Sequence, residues 1–587
     1  MRLRSIGSFG LILITLLLLT MVQLPVVASS EDEEIQHGLS QDLPKALGYY
    51  LDNSGAYTEV KDGSKVLTFT MALASMGMSQ ELLNIPETVE EEDYPFSIDD
   101  ALAPLDWAFK YFNAPYKGDE RGYVNFYDLE QGDDSFSRAS KRTSDQVLMI
   151  RAAIQGIALL NRKTTTSAKI PTWSKAISDT WEFIEDRLYD STYGGWAIAV
   201  TPINNTHYAT DWTKTVESNS WTIISLLPSL ETISSITDLN SETIKSRCIQ
   251  TMNLLGTHLL EPTGQVRPFS SRDGMIKPEF TTCRDLALFG LASMESYRTT
   301  NNQTYLLWAK QVANYAIAEL WDNGFGGFFG SVSDEGNILV AGKKIEDNFL
   351  AAQLLCQLVV HDTGDLYEPI LAILLSLLRE ILGHELGTTN KILYPTAVDR
   401  KLLSNGIFNA RTQSIATFSL SELPHIIYLT RQNFYPIGRE TPLILNVQLG
   451  YLPKILLRIQ GETTGIDISQ NITTQDLSNI QLLPVQGSRV GYHSLVLTLS
   501  IREIVFEKPI LQIRCGGDIL IPQGIIYLLA LGVIAGVVIV IITPPALLKK
   551  WLGYWIPLLG TESLYSPQDV SPEYQLPEDE PMEGKVD

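Results

Sequence analysis

Strongly apolar segments recur along the middle of the chain, and each follows a short polar or charged stretch. They read KDGSKVLTFTMALASMG from Lys61, KRTSDQVLMIRAAIQGIALL from Lys141, TKTVESNSWTIISLLPSL from Thr213, KPEFTTCRDLALFGLASMESY from Lys277, KKIEDNFLAAQLLCQLVV from Lys343 and RTQSIATFSLSELPHIIYL from Arg411. Successive starts lie about 64 to 80 residues apart, and such a recurrence is the sequence signature of repeat architecture. The sequence therefore predicts six repeats, each with a helix that is buried on several sides.

Amphipathic stretches lie between these apolar segments, with apolar residues at helical spacing. They are SKAISDTWEFIEDRL, SETIKSRCIQTMNLLGTHLL, YLLWAKQVANYAIAEL and LYEPILAILLSLLREIL. A helix with one apolar face covers a core, whereas a helix that is apolar on most sides lies inside it. We therefore expect outer helices that pack over inner ones.

A turn rich in glycine and polar residues follows each outer helix, and a short aromatic or β-branched run follows the turn. The four clearest joints are DSTYGGWAIAV, EPTGQVRPFS, WDNGFGGFFGSV and LGTTNKILYPTAV. This composition is typical of hairpin turns, because glycine adopts the positive φ values that a tight exit from a helix demands. Six helical hairpins that close into a ring make an (α/α)6 toroid, which we predict for residues 34–431.

After the toroid, the hydrophobic pattern changes from helical spacing to alternation. TPLILNVQLGYLPKILLRIQG and GYHSLVLTLSIREIVFEKPILQIRCGG alternate apolar and polar residues and are rich in β-branched ones. They predict a small β-sandwich at residues 433–523. The fold class is thus mainly α, with a toroid followed by a β-sandwich that acts as a spacer.

Both ends of the chain carry targeting signals. Residues 1–30 have the arginines, apolar run and small residues of a secretory signal peptide, with an uncleaved membrane anchor as the alternative. Residues 524–545 are apolar for nearly the length that a membrane-spanning helix needs, and lysines follow them, which favours a cytoplasmic end. Residues 546–587 are acidic and rich in proline, so we expect a disordered cytoplasmic tail. The remainder is predicted to face outward from the cell membrane.

The composition of the chain restricts the kinds of partner and cofactor that we expect. The net charge of -23 argues against nucleic acid, which needs concentrated lysine and arginine. The four cysteines show no metal-ligand spacing, so we expect buried thiols, although a bridge between Cys248 and Cys283 stays open. We expect neither a metal nor an organic cofactor.

The joint and helix start in the fifth repeat carry a family resemblance. The chain resembles the six-hairpin sugar-processing enzymes and the N-acylglucosamine 2-epimerase-like helical domains, most closely the helical part of thioredoxin-domain proteins. The matching positions are Asp322, Gly326, Gly327, Phe328, Phe329, Lys344, Asp347 and Asn348. The resemblance implies a toroid and a carbohydrate or glycoconjugate ligand. The chain has no CxxC motif, so we do not expect a thioredoxin module or a redox role.

Carboxylates at the starts of the inner helices are the candidates for chemistry, because these starts surround one mouth of a toroid. The candidates are Asp145, Glu217, Glu279, Glu346 and Asp347. Glycoside cleavage needs one protonated and one ionised carboxyl group, so we predict Glu346, Asp347, Glu217 and Asp145 as acid and base candidates, with Glu279 in substrate binding. The alternative is that each carboxylate only caps its helix.

Aromatic residues near the joints are candidates for sugar stacking. We predict Trp212, Trp196 and Tyr193 as binding residues, with the alternative that Trp196 plugs its hairpin. Among the seven histidines only His207 lies in a suitable loop, and His425 is interpreted as a satisfied core residue in the last inner helix. Since the epimerase relatives work through paired histidines, epimerisation is disfavoured.

The sequence thus leads to three hypotheses. The first is a membrane-anchored ectodomain that binds or cleaves glycans by a two-carboxylate mechanism. The second is a non-catalytic ectodomain that binds a glycan, peptide or protein. The third is a structural envelope protein whose toroid mouth is closed by Phe or Trp.

Overall fold

The computed structural model describes most of residues 47–516. The longer gaps within this range are 85–95, 113–120, 386–391, 437–442, 474–479 and 483–490. The predicted signal peptide (1–30), membrane-spanning helix (524–545) and acidic tail (546–587) lie outside the described residues. Within the described part of the chain, no helix has the length and apolar character that crossing a bilayer requires.

Twelve α-helices occur among the described residues. They are α1 Thr68–Asn84, α2 Ile98–Tyr111, α3 Thr143–Lys163, α4 Lys169–Phe183, α5 Val216–Leu226, α6 Leu230–Ile236, α7 Ser241–His258, α8 Cys283–Thr300, α9 Gln303–Glu319, α10 Ile345–Val359, α11 Tyr367–Ile381 and α12 Ala410–Ser421. The predicted inner helices correspond to α1, α3, α5, α8, α10 and α12. Each packs against the next, and α12 packs against α1. This closes the ring and confirms the toroid.

The outer helices cover this ring as predicted. Helix α2 packs on α1 and α3, α4 on α3, α7 on α5 and α8, α9 on α8 and α10, and α11 on α10. Burial separates the two layers: nearly every residue of α1 is buried, whereas α9 buries only one face, including Tyr305, Ala309, Val312 and Ala316. The apolar pattern of the sequence therefore reports the layer of each helix.

Short strands form the joints between outer and inner helices. They are β1 Lys65–Leu67, β2 Phe126–Asp128, β3 Lys141–Arg142, β4 Ala199–Asn204, β5 His207–Asp211, β6 Lys214–Thr215, β7 Phe269–Ser270, β8 Phe280–Thr282, β9 Ser331–Ser333, β10 Ile338–Val340, β11 Lys343–Lys344, β12 His384–Glu385, β13 Ile392–Leu393 and β14 Ala397–Val398. Their pairings are antiparallel. Bridges such as Tyr189 to Trp196 and Trp321 to Phe328 close the hairpins that the glycine-rich turns predict.

The C-terminal strands form two sheets. They are β15 His425–Leu429, β16 Tyr435–Pro436, β17 Leu443–Gln448, β18 Lys454–Gly461, β19 Ile466–Thr473, β20 Ile480–Leu482, β21 Gly491–Ile501, β22 Ile504–Glu507 and β23 Ile510–Gly516. One sheet has the order β15-β17-β20; the other has the order β16-β23-β21-β18-β19, with β22 also paired to β21. Strand β22 packs against α11, which joins the sheets to the toroid.

One boundary differs from the sequence prediction. The last inner helix does not continue to residue 431 but ends at Ser421, and the β region begins at His425. Pro424 cannot continue a helix, and the residues after it are β-branched or aromatic. His425 is nevertheless the satisfied core histidine that was expected: its Nε2 lies 2.8 Å from Glu81 and its Nδ1 lies 2.7 Å from the Leu423 carbonyl oxygen.

The three cysteines whose side chains are described follow the expectation of buried thiols. Cys248, Cys283 and Cys356 are buried and free, so no bridge joins Cys248 to Cys283. Burial raises the pKa of the Cys356 thiol to about 12, which keeps it protonated at neutral pH.

Side-chain amides fix the starts of four inner helices. The fourth residue of each helix accepts a hydrogen bond from the backbone N–H of a joint aromatic residue and donates one to the carbonyl of that same residue. The pairs are Gln146 with Tyr123, Asn219 with Trp196, Asn348 with Phe328 and Gln413 with Tyr394. We call these four contacts the amide clamps. They satisfy buried backbone groups and fix the rotation of each helix about its own axis.

A buried ion pair sits beside two of the clamps. Lys214 Nζ lies 3.1 Å from Asp190 and Lys343 Nζ lies 3.0 Å from Asp322, with all four side chains almost wholly buried. The glycine that precedes each clamped residue has a positive φ, 69° at Gly195 and 79° at Gly327. A Cβ at Gly327 would meet the Lys343 side chain at 3.1 Å and Asn348 Oδ1 at 3.4 Å.

Removing the carboxylate of Asp322 should destabilise the protein by about 3 to 5 kcal/mol, because a buried Lys343 then loses its counter-charge. Urea unfolding of Asp322→Asn measures this loss. Adding Lys343→Met removes the stranded charge, so most of the lost free energy of unfolding should return in the double variant.

The exposed pair of Lys175 and Asp179, one turn apart on α4, supplies the control. Asp179→Asn should cost less than about 0.5 kcal/mol, since solvent screens an exposed pair. Equal losses at the two sites, or no recovery in the double variant, would contradict the role assigned to the buried pair.

Candidate functional site

Four charged residues of alternating sign form a closed network at one end of the toroid. Each is the second residue of an inner helix, and the four helices follow one another around the ring: Glu217 of α5, Arg284 of α8, Glu346 of α10 and Arg411 of α12. We call this set the charge ring. Each member contacts both of its opposite-charge neighbours: Arg284 contacts Glu217 at 3.3 Å and also Glu346, and Arg411 contacts Glu217 at 3.3 Å and Glu346 at 3.4 Å.

The contact between Glu217 and Arg411 places the charge ring on the toroid axis. Helices α5 and α12 are separated by α3 and α1 in the ring, so this ion pair spans the mouth. The second residues of the two remaining inner helices are Ser144 and Phe69, and the Arg411 guanidinium lies 4.6 Å from the centroid of the Phe69 ring. The second residues of five inner helices therefore face one shared space.

Local structure explains why these side chains meet. The Thr215 side chain accepts from Ser218 N–H at the start of α5, and the Asn409 side chain accepts from Thr412 N–H at the start of α12. Side-chain caps and amide clamps together set where each helix starts and how it is rotated. The second residues Glu217 and Arg411 then point toward the mouth, where they form an ion pair.

Aromatic side chains fill the toroid beneath the charge ring. Trp221 lies one turn further along α5 than Glu217, with its ring centroid 5.8 Å from Phe69 and 5.8 Å from Phe418. The Arg151 guanidinium lies 5.2 Å from the Phe418 ring. Trp221 and Phe418 are each 1% exposed, so the mouth has a closed aromatic base and the charge ring forms its floor.

The third residues of three inner helices add carboxyl groups around this floor. Asp347 is buried and lies 2.9 Å from Arg284 Nε, while Asp285 bonds the Thr282 hydroxyl that caps its own helix. Burial raises the pKa of Asp285 to about 7 and that of Asp145 to about 7, against ordinary values of 3.8. Asp145 Oδ2 has no hydrogen-bond partner among the described residues.

The pKa of Glu217 is shifted in the opposite direction from those of Asp145 and Asp285. Burial works to raise its pKa, but Arg284, Arg411 and Arg142 hold the pKa below its ordinary value. The charge of Glu217 in turn adds to the raised pKa of Asp145. The mouth therefore combines an ionised carboxylate with a neighbouring carboxyl group that is half-protonated near neutral pH.

Five predicted site residues lie at or beside this mouth or on its rim. Glu217 and Glu346 belong to the charge ring, Asp347 binds Arg284, and Asp145 interacts electrostatically with Arg411 and Glu217. The structure thus brings all four predicted acid and base candidates together. Trp212 is five residues before Glu217 in the sequence and is partly exposed.

Two predicted positions need correction. Glu279 is exposed and precedes strand β8, so it does not share the helix-start position of the other carboxylates, which Arg284 and Asp285 occupy in that repeat. Trp196 is fully buried and clamped by Asn219, so it plugs its hairpin and presents no surface for stacking.

Two further predicted residues fall in the third repeat. Tyr193 lies at the tip of a joint and is 50% exposed. His207 begins strand β5, and its side chain lies outside the described part of the structure. The three histidines whose side chains are described, His258, His361 and His425, lie in helix ends, in a helix–helix connection or in the β region.

Sequence reasoning missed the arginines of the charge ring. It searched the helix starts for carboxylates, and therefore selected only half of an alternating network. Aligning the helices on the amide of their fourth residue, as in Asn219, Asn348 and Gln413, would have placed Glu217, Glu346 and Arg411 in one register. Arg284 then follows from the same offset in α8.

The arrangement has two chemical capacities. Glu217 and Glu346 share both guanidinium groups, so the floor holds two carboxylates, the group type that a glycosidase pair requires. The arginines neutralise both, however, so the floor offers fixed donors and acceptors in alternation. No cluster of His, Cys, Asp or Glu side chains suited to a metal ion occurs in the described part of the chain.

Solved structures of the same architecture are known. The chain is similar to a D-mannose isomerase with a TM-score of 0.51 and 11% identity, covering 65% of this chain and 97% of that one. It is also similar to cellobiose 2-epimerase from Bacillus thermoamylovorans B4167, with a TM-score of 0.51, 10% identity and coverage of 64% and 95%. A sugar epimerase from a ruminal bacterium gives a TM-score of 0.52 at 9% identity, with coverage of 65% and 96%.

These likenesses establish the fold. They confirm the predicted resemblance to six-hairpin toroids, which the closed ring of inner helices shows independently. No protein-family model matches the chain, and no curated protein sequence matches it.

The raised pKa of Asp145 gives a pH prediction. A carboxyl group whose pKa is higher in the folded than in the unfolded chain costs stability once it must ionise, so stability falls as pH rises from about 4 to about 7. Asp145→Asn cannot ionise, so its free energy of unfolding should fall less between about pH 5 and about pH 8 than that of the wild type. Urea unfolding at the two pH values measures the difference.

The exposed Asp238 supplies a control, because Asp238→Asn should leave the wild-type pH dependence unchanged. If Asp145→Asn and wild type lose the same stability over this interval, Asp145 is ionised throughout it and the assignment is wrong.

Proposed function

We propose that this protein binds carbohydrate at the mouth of its toroid, on the floor formed by the charge ring. The observation that carries the proposal is the alternation of Glu217, Arg284, Glu346 and Arg411 in one closed network. A sugar presents neighbouring hydroxyl groups that both donate and accept hydrogen bonds. A floor of fixed acceptors and donors in alternation is complementary to that pattern.

Partial exposure of the floor supports this function. The side chains of Glu217 and Arg411 are 36% and 25% exposed, so solvent reaches them at the mouth. Trp212 and Tyr193 stand on the neighbouring joint, where an aromatic face can cover the apolar face of a sugar ring. Binding sites of this kind combine a few placed polar groups with aromatic walls.

The neighbours of the same fold carry the names of sugar isomerases and epimerases. This supports a sugar ligand without identifying it, because one fold supports many activities. The ion pairs of the charge ring join glutamates to arginines, so the proposal rests on these four side chains and on no histidine.

Glycoside hydrolysis is the second candidate function, and the contrast between Asp145 and Glu217 favours it. Asp145 keeps a proton near neutral pH and has an unbonded oxygen, as a general acid requires. Glu217 is ionised, as a general base or nucleophile requires. Glu346 and Asp347 would then hold Arg284 in place rather than take part in proton transfer.

A glycan-array screen of the purified ectodomain, followed by calorimetry and product analysis, tests both candidates. Glu217→Gln should weaken glycan binding by about tenfold, because it removes the charge that orients Arg284 and Arg411. The exposed residue Glu231 on α6 provides the matched control, and Glu231→Gln should bind like wild type.

Product analysis separates binding from hydrolysis. Turnover that is lost in Asp145→Asn while binding persists would establish hydrolysis. Binding without any released product would leave the protein as a glycan-binding ectodomain. Unchanged binding in Glu217→Gln would remove the charge ring from the ligand site.

We further propose that the toroid faces outward from the cell membrane, anchored by residues 524–545 with residues 546–587 inside. The support is the sequence pattern alone, namely the signal-like residues 1–30, the apolar run and the lysines that follow it. Protease treatment of intact cells should remove the toroid and spare an epitope placed in the tail. Digestion of the tail with the toroid left intact would reverse the proposed orientation.

A further inference from the structure

An arginine lies against two aromatic rings beside the mouth. The Arg272 guanidinium is 4.3 Å from the ring centroid of Trp212 and 5.7 Å from that of Tyr193. We call these three side chains the rim platform. Tyr193 is 50% exposed and the Arg272 side chain is 42% exposed, so the platform is open to solvent. Stacked guanidinium and aromatic groups form an extended flat surface.

The platform is anchored from below by buried charge. Arg272 Nε lies 2.8 Å from Asp190 Oδ2 and its Nη2 lies 3.0 Å from Asp190 Oδ1, which is a bidentate contact. Asp190 is fully buried and also pairs with buried Lys214. One carboxylate thus faces two cations, so this trio carries a net positive charge in a protein whose net charge is -23.

One edge of the Arg272 guanidinium is not used by the protein. The bonds to Asp190 occupy Nε and Nη2, whereas Nη1 makes no hydrogen bond or ion pair within the described part of the chain. The neighbouring carboxylate of Asp273 bonds the Ser271 hydroxyl and the Met275 N–H, so it is held within its own turn. The free edge therefore has donors for an incoming anion.

The platform is connected to the charge ring through one strand of the third repeat. Strand β7, which ends two residues before Arg272, pairs with β6. Strand β6 contains Lys214 and leads directly into α5, whose second residue is Glu217 of the charge ring. Trp212 of the platform therefore lies five residues before Glu217 along the chain.

We propose that the rim platform is a subsite for the carboxylate of an acidic sugar, so that the ligand of the mouth is a uronic-acid-containing glycan. This inference rests on the proposed carbohydrate function and specifies its ligand class. The Arg272 edge binds the carboxylate, and Trp212 and Tyr193 cover the pyranose ring next to it. Neutral glycans lack the charged partner and bind more weakly.

The fifth repeat supplies an internal comparison. Asp322, Phe325, Lys343 and Arg400 repeat the positions of Asp190, Tyr193, Lys214 and Arg272. Arg400 again approaches the buried aspartate, at 3.6 Å, but it is 66% exposed, and the one ring that it contacts among the described residues is that of Phe329 at 5.9 Å. Ala341 stands at the position of Trp212. Arg400 therefore approaches the equivalent aspartate with neither the bidentate contact nor the Trp212 platform of Arg272.

Calorimetry with short oligogalacturonate, alginate and hyaluronan fragments, each compared with its carboxyl-reduced form, tests the proposal. At least one acidic fragment should bind about tenfold more tightly than its reduced form, and added salt should narrow the difference. Arg272→Gln should abolish the preference, whereas Arg272→Lys should retain part of it. Arg400→Gln should keep wild-type selectivity.

Trp212 gives a second readout that does not depend on the charge change. Binding of the acidic fragment should alter tryptophan fluorescence, and Trp212→Phe should remove most of that signal. Thermal unfolding of Arg272→Gln shows whether the variant is folded; if it is not, the Arg272→Lys and Trp212→Phe results decide.

The outcomes separate this inference from the proposed function. Equal binding of acidic and reduced fragments, or a preference that survives Arg272→Gln, overturns the acidic subsite. If only neutral glycans bind, and Glu217→Gln weakens them, the carbohydrate function stands and the subsite fails. If no glycan of either kind binds, both fail.

Discussion

The contact between a side-chain amide and the backbone of a preceding aromatic residue determines the geometry of the toroid mouth. In four inner helices the fourth residue is Asn or Gln, and it binds both the N–H and the carbonyl of one joint residue. Such a bidentate contact fixes the distance and the rotation of the helix together. The other two inner helices have Met71 and Leu286 at this position, and in their repeats Thr68 donates to the Val124 carbonyl and Thr281 to the Val266 carbonyl. The clamps therefore set the register of Glu217, Glu346 and Arg411 at the mouth, while Arg284 lies on a helix whose start is capped by Thr282.

The charge ring is a consequence of that register and of electrostatics. Four ionised groups in a partly buried space are tolerated only if opposite signs alternate, because a pair of like charges would raise or lower the pKa of one member. Arg284 and Glu346 are 14% and 13% exposed, whereas Glu217 is 36% exposed. Arg284 and Glu346 therefore form a buried ion pair that stabilises the fold, whereas Glu217 faces solvent. This asymmetry favours binding over a symmetrical pair of catalytic carboxylates.

The sequence predicted the toroid well because its signal is the burial of whole helices. The recurrence of apolar segments identified six inner helices, and the glycine-rich joints identified the hairpins between them. The site was predicted only in part. Glu217, Glu346 and Asp347 were found because carboxylates at helix starts are conspicuous, but Arg284 and Arg411 were not, since which residue faces the axis depends on contacts such as that of Asn219 with Trp196. The end of α12 was misplaced because its apolar pattern runs on through Pro424 into a strand.

A comparison of the third and fifth repeats separates the residues that folding requires from those that it does not require. The buried aspartate and lysine, the two glycines and the clamping asparagine are the same in the third and fifth repeats, and folding explains them. The exposed positions differ: Tyr193 and Trp212 in one repeat correspond to Phe325 and Ala341 in the other. Folding does not require this difference, because the buried aspartate–lysine pair forms in both repeats.

The floor is nearly balanced in charge, since it has two glutamates and two arginines, whereas the rim platform belongs to the third repeat alone. A glycan bound across both would therefore be oriented, with its acidic residue at Arg272 and its next sugar over the charge ring.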